Sequence, residues 1–210
     1  MTTTTDSIEI TYTDGAPLAV DDPRLPLART AQLAHALAAR VDETNAALTT
    51  PCPDWDVAAL TRHVVGVFRR VAAAPTGADL NAMSVVPDID VTDLGAALDD
   101  ATASVHAAWS DPSRLEQLIE APWGPTPGAV CLLIWASDVA VHCWDLAVAL
   151  GIDVNWPDDI AVLDGVMRGG LPAEGRDEIP FGEVVEVAED ASPIDRLVAW
   201  VGRDPALAPR

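Results

Sequence analysis

Three polar side chains, Asp138, His142 and Asp145, interrupt the apolar run of residues 129–151, AVCLLIWASDVAVHCWDLAVALG. A carboxylate and an imidazole four residues apart on a helix project from consecutive turns toward one point, as two ligands of one metal ion do. Alternating steps of four and three place Cys131, Trp135, Asp138, His142, Asp145 and Ala149 in a single stripe. The other faces carry Leu132, Leu133, Val139, Val141, Leu146 and Val148, which predicts a buried helix with buried polar groups. Burying such groups without partners is costly, on the order of several kcal/mol, so the pair calls for a third ligand. His63, in TTPCPDWDVAALTRHVVGVFRRVAAAP, lies beside the inward stripe of Val57, Leu60, Val64, Val67 and Val71 and can supply it. His63, Asp138 and His142 would form a two-histidine, one-carboxylate set with an open position for water or substrate, the pattern of a catalytic rather than a structural zinc. The same donors suit Fe2+, Mn2+, Co2+ and Ni2+, so a divalent metal is expected and ligand type alone does not fix which. Asp145, one turn past His142, can orient a ligand, act as a base, or pair with a buried arginine.

The remaining candidates read as packing. His35 stands among small residues of a first helix, as a surface or packing residue, and His106 sits beside the apolar stripe of a third, as a half-exposed helix residue with a ligand or pocket role as the alternative. Trp135 and Trp144 are expected in the core. Cys52, Cys131 and Cys143 are odd in number and scattered, which suits buried thiols in a reducing cytosol better than a disulfide framework.

Helical periodicity predicts the elements that position these groups. A first helix is read from about Pro23 to Leu48, and a second follows Asp54 as N-cap with Asp56 in its first turn. A third spans about Thr92 to Trp109, and the buried fourth has Thr126 as a candidate cap. A fifth starts at Asp158 or Asp159 and runs to about Arg168. FGEVVEVAED alternates as a strand, and SPIDRLVAWVGRDP reads as a short helix capped by Ser192 with Pro193 at its first position. The expected fold is mainly α: an arm over residues 1–22, with a short strand at Ile8, Ile10 and Tyr12; a four-helix metal-binding bundle over 23–151; and a helical and strand extension over 152–210 packed on it as one domain.

Bulk composition excludes several partners. The 210 residues carry a formal net charge of −21, from 33 acids against 12 bases that are all arginine, with no basic cluster. Nucleic acid and anionic membrane surfaces are therefore not expected partners. The run 129–151 is long enough to span a bilayer, but three polar residues in its middle argue for a core helix. The N-terminal MTTTTDSIEI has no basic and apolar leader pattern, and a cytoplasmic protein is expected.

The segments TPCPDWDVAALTRHVVG, WGPTPGAV, SDVAVHCWDLAVALG and FGEVVEVAEDASPIDRLVAWVGRDP resemble the actinobacterial metal-binding proteins of the DinB / mycothiol-dependent maleylpyruvate isomerase superfamily, over about residues 25–205. The resemblance implies a DinB-like four-helix bundle with a short C-terminal strand–helix appendage. It also implies one divalent ion, usually zinc, held by His63, Asp138 and His142. In the isomerase the acid is Glu and a further C-terminal domain follows; here it is Asp138, followed by a short tail. Thiol-using relatives imply mycothiol as cosubstrate and a small electrophile as substrate, for S-transfer or isomerisation. Hydrolysis, cyclisation or rearrangement without thiol, or non-catalytic binding of a metal or small ligand, are the competing readings. A monomer or homodimer is expected.

Overall fold

In the computed structural model, residues 11–12, 16–177 and 179–208 are described. The expected strand at Ile8 and Ile10 lies outside them; Thr11–Tyr12 (β1) pairs antiparallel with Ala16–Pro17 (β2). Six helices follow: α1 Arg24–Ala38, α2 Val57–Ala73, α3 Leu94–Ala108, α4 Gly128–Leu150, α5 Ile160–Gly170 and α6 Pro193–Trp200. The chain is mainly α, as the resemblance implies, with α1 to α4 packed as a bundle in which α1 and α2 each lean on both α3 and α4. Leu27, Leu60, Phe68, Leu98, Leu132 and Leu146 are buried where these stripes meet. The first helix ends ten residues earlier than expected, at Ala38, and 39–56 is a turn-rich connection.

α2 and α3 run in the same direction. Arg62 near the start of α2 donates to the Ile89 carbonyl ahead of α3, and the Trp109 indole N–H past the end of α3 donates to Val71 at the end of α2. The connection 74–93 must therefore travel back along the bundle, which it does through three short 3-10 turns, Ala74–Thr76, Leu80–Ala82 and Val91–Asp93. It lies directly on α2 at Gly66, where an added Cβ would stand 2.7 Å from the Val85 carbonyl oxygen.

α2 is capped by Asp56 rather than Asp54: the Asp56 carboxylate accepts the Ala59 N–H at 2.8 Å, while the Val57 and Ala58 N–H groups donate to the Leu48 and Ala46 carbonyls. Thr126 does not cap α4. It belongs to an antiparallel hairpin, Leu118–Ala121 (β3) and Gly124–Pro127 (β4), that the Pro- and Gly-rich composition of the segment concealed, and the residue before α4 is Pro127, without a side-chain cap. α4 is long and apolar enough to cross a membrane, yet 72% of its most apolar stretch is buried inside the protein, against α1, α2 and α5.

The appendage stacks outward from α4, with α5 on α4 and α6 on α5. Asp164 of α5 joins them by accepting from Arg168 at 2.7 Å and Arg196 at 3.1 Å. Ser192 caps α6 through the Asp195 N–H, as expected. The alternating stretch 181–188 forms no strand: Val185 N–H bonds to the Ala199 carbonyl of α6 instead of to a ladder partner, so its period reflects a segment laid on a helix.

Candidate metal centre

α2 and α4 bring His63, Asp138 and His142 together, with one ligand atom of each within 4.8 Å of the others. The two histidines point their Nε2 atoms at different oxygens of one carboxylate: His142 Nε2 is 3.3 Å from Asp138 Oδ1, and His63 Nε2 is 3.8 Å from Oδ2. Both rings are fixed from behind. His63 Nδ1 is 3.0 Å from the Val85 carbonyl, which can only accept, so Nδ1 carries the hydrogen. His142 Nδ1 is 3.1 Å from Asp145 Oδ2. Arg203 donates to the same Asp145 carboxylate through Nη2 at 3.1 Å and Nε at 3.3 Å.

This hydrogen-bond pattern has a direct consequence. With Nδ1 donating in each ring, a neutral imidazole turns a bare Nε2 lone pair toward a carboxylate oxygen, an arrangement that needs a cation between the two. A proton on either ring satisfies it, and so does a metal ion. Tetrahedral Zn2+ with bonds of about 2.0–2.1 Å sets its ligands roughly 3.3 Å apart, so separations of 3.3 and 3.8 Å fit a divalent ion with small adjustments. Burial disfavours the charged form of Asp138, but His142 and His63 outweigh it and hold the carboxyl far below its ordinary range. Burial likewise opposes the charge on His142, and Asp138 with Asp145 overcomes it, raising that ring to about 9. Asp138 keeps 33% of its side chain exposed, whereas the two histidines are buried, so the centre opens to solvent on the carboxylate side.

The structure brings the proposed ligands together from α2 and α4 and puts Asp145, expected among other roles to orient a ligand, behind His142; the remaining supports are not plain in the sequence. Trp55 stacks on His63 with ring centroids 4.2 Å apart and 27° between planes, covering one face of the ligand set. The Thr50 hydroxyl places it, donating to the Trp55 carbonyl at 2.8 Å and accepting the Cys52 N–H at 3.1 Å. The signal was present in the Pro-Cys-Pro-x-Trp turn eight residues before His63, without anything to say that the indole faces the imidazole. The Val85 carbonyl carries no side-chain signature at all. Arg203 is the buried arginine that Asp145 could pair with, and only the fold could say which of the twelve arginines it is.

The residues read as packing behave so. His35 bonds Thr102 at 3.2 Å and faces Asp99 of α3, remote from the centre. His106 is partly buried beside Leu27 and Phe68, and burial lowers its pKa. Trp144 is buried in the core; Trp135 is buried as well, but its ring meets the half-exposed Trp123 of the hairpin edge-on at 5.3 Å. All three cysteines are buried free thiols, with burial raising each: Cys131 to about 11, Cys143 further, and Cys52 despite the opposing charge of Arg203.

Comparison with known proteins follows the same elements. The family model "Mycothiol maleylpyruvate isomerase N-terminal domain" matches residues 27–147. Two uncharacterized proteins from two strains of Mycobacterium tuberculosis are each 29% identical over 187 residues, spanning 87% of this chain and 98% of theirs. Crystal structures of the mycothiol-dependent maleylpyruvate isomerase and of a histidine-to-alanine mutant of it share the fold. Their TM-scores are 0.54 and 0.56 at 14% and 12% identity, over 71% of this chain and 68% of theirs.

Proposed function

The chain belongs to the family of the mycothiol maleylpyruvate isomerase N-terminal domain, and from that membership we propose that it is a divalent-metal-dependent enzyme using mycothiol on a small electrophile, as an isomerase or S-transferase. The observation that carries the metal is the pair of Nε2 atoms aimed at one carboxylate from rings locked through Nδ1. His63, Asp138 and His142 would hold the ion, Zn2+ first among the divalent candidates. When bound, such an ion favours the thiolate form of a sulfur ligand in its open position and so supplies a nucleophile near neutral pH.

The protein's own residues do the rest. The Val85 carbonyl and Asp145 fix which ring nitrogens are available, a role outer partners commonly play at metal centres. Trp55 excludes water from one face of His63 and leaves the approach along Asp138. Asp145, fully buried and engaged by Arg203 and His142, orients and does not reach substrate, which narrows the three roles that the sequence left open to it. Cys131 and Cys143 lie outside the ligand set, and Cys52, within 4.8 Å of ligand atoms of His142 and Asp145, is buried with its thiol pushed up, so the nucleophilic sulfur is assigned to a small-molecule thiol. The match to the isomerase structures is one of fold, so the electrophile is left general: a small molecule in the cytoplasm, with neither nucleic acid nor membrane as partner.

Elemental analysis of the purified protein tests the metal, and calorimetric titration of the metal-loaded protein with mycothiol tests the thiol. About one divalent ion per chain and saturable mycothiol binding that disappears on chelation are expected. Binding of the ion without any binding of mycothiol would overturn the thiol reading and leave a thiol-independent metal enzyme.

A further inference from the structure

We propose that Arg203 is a positioning residue of this centre, through which the C-terminal appendage sets the orientation of His142. Asp145, 0% exposed on α4, is a carboxylate cut off from bulk solvent, and a cation beside it offsets the cost of keeping it charged behind the His142 ring. That cation comes from residue 203, outside the 27–147 segment that the family shares. The ligand ring therefore belongs to the bundle, while the group that steadies it arrives from the far end of the chain.

The appendage is built to aim this side chain. α6 stops at Trp200, and the backbone turns through Gly202 at φ +89° before the Arg203 N–H returns to the Val198 carbonyl at 2.9 Å. Gly202 lies back to back with Gly182: a Cβ at 202 would stand 2.5 Å from the Gly182 Cα, so neither a side chain nor an ordinary φ is tolerated there. Arg176, 3% exposed, clips the two segments of this contact together. One of its terminal nitrogens donates to both the Gly182 and Trp200 carbonyls, and its Nε donates to Pro172 at 2.7 Å. A continuous set of contacts thus runs from Arg176 through the glycine pair to Arg203, Asp145 and His142.

Two readouts test the proposal. The first, on metal-free protein, is the 15N NMR signature of the His142 ring; the second is Zn2+ affinity by competition with a chromophoric chelator, which rests on the metal reading above. Arg203→Gln and the remote Gly202→Ala are expected to displace the His142 ring signals and to weaken Zn2+ binding by roughly 10-fold or more, with Arg203→Lys recovering part of the loss. In an Asp145→Asn background, Arg203→Gln is expected to change Zn2+ affinity by less than about twofold, because its route to the ligand is already cut. Unchanged His142 signals in folded Arg203→Gln, Gly202→Ala and Arg203→Lys proteins would overturn the proposal, as would an Arg203→Gln effect of the same size with or without the Asp145 carboxylate. Should the wild-type chain take up no Zn2+, the metal reading falls, and the ring signals alone decide the role of Arg203.

Discussion

His63 and His142 converge on one carboxylate but are steadied by different means. Behind His63 stands a main-chain carbonyl of the crossover, at Val85, a residue 48% exposed. Behind His142 stands a buried carboxylate that needs a buried guanidinium. A carbonyl is supplied by any residue at position 85, so the first support depends on the path of the backbone and hardly on side-chain identity. The second depends on two side-chain identities 58 positions apart and on the docking of the appendage that carries one of them. The centre is thus robust on one side and exacting on the other.

That contrast can be broken in several ways. The largest effect is expected where the two sides are equal, at the ligands: His63→Ala and His142→Ala should each lower metal content from about one ion per chain to a small fraction, read by elemental analysis after dialysis. Next comes Asp145→Ala, which strands the Arg203 charge in the interior and should cost about 3–5 kcal/mol of stability, measured by urea unfolding of the metal-free protein. On the other side, Gly66→Ala forces a methyl group toward the Val85 carbonyl and should cost about 1–3 kcal/mol together with a displaced His63 ring signal. Val85→Ala keeps the carbonyl and should stay within about 0.5 kcal/mol of wild type. Equal losses at Val85 and Asp145 would end the comparison. The smallest effect concerns the thiols: with Cys131 raised to about 11, its thiolate is scarce below that pH, so iodoacetamide at pH 8 should leave the folded chain unmodified and alkylate it only after unfolding, as read by mass spectrometry.

What the sequence made legible follows from periodicity and local chemistry. α4 and its polar stripe, the inward position of His63, and the Ser192 cap are all short-range patterns, and each stands where its spacing placed it. Elements set by longer-range contacts were read less well. Residues 181–188 alternate like a strand but meet a helix, and the β3–β4 hairpin pairs Leu118–Ala121 with a Gly-Pro-Thr-Pro segment whose glycine and prolines disfavour a strand. At the centre the same division holds: three ligand side chains announce themselves by type, whereas the Val85 carbonyl is invisible to residue identity and Arg203 is one arginine among twelve.

The parallel course of α2 and α3 also bears on the order in which the molecule assembles. Helices joined by a tight turn meet early, but α2 and α3 can pair only after the 20-residue segment 74–93 has doubled back along them. Closing a loop of that length costs about 1.4 kcal/mol more in chain entropy than closing one of four residues, and contacts that wait on such closure form late. The Val85 carbonyl rides on this segment, so during refolding His63 reaches its final ring orientation after its helix has formed. His142 waits on a longer closure still, since Arg203 must return from 58 positions along the chain to steady Asp145, so a newly made chain passes through an interval in which both histidines are helical and neither is set.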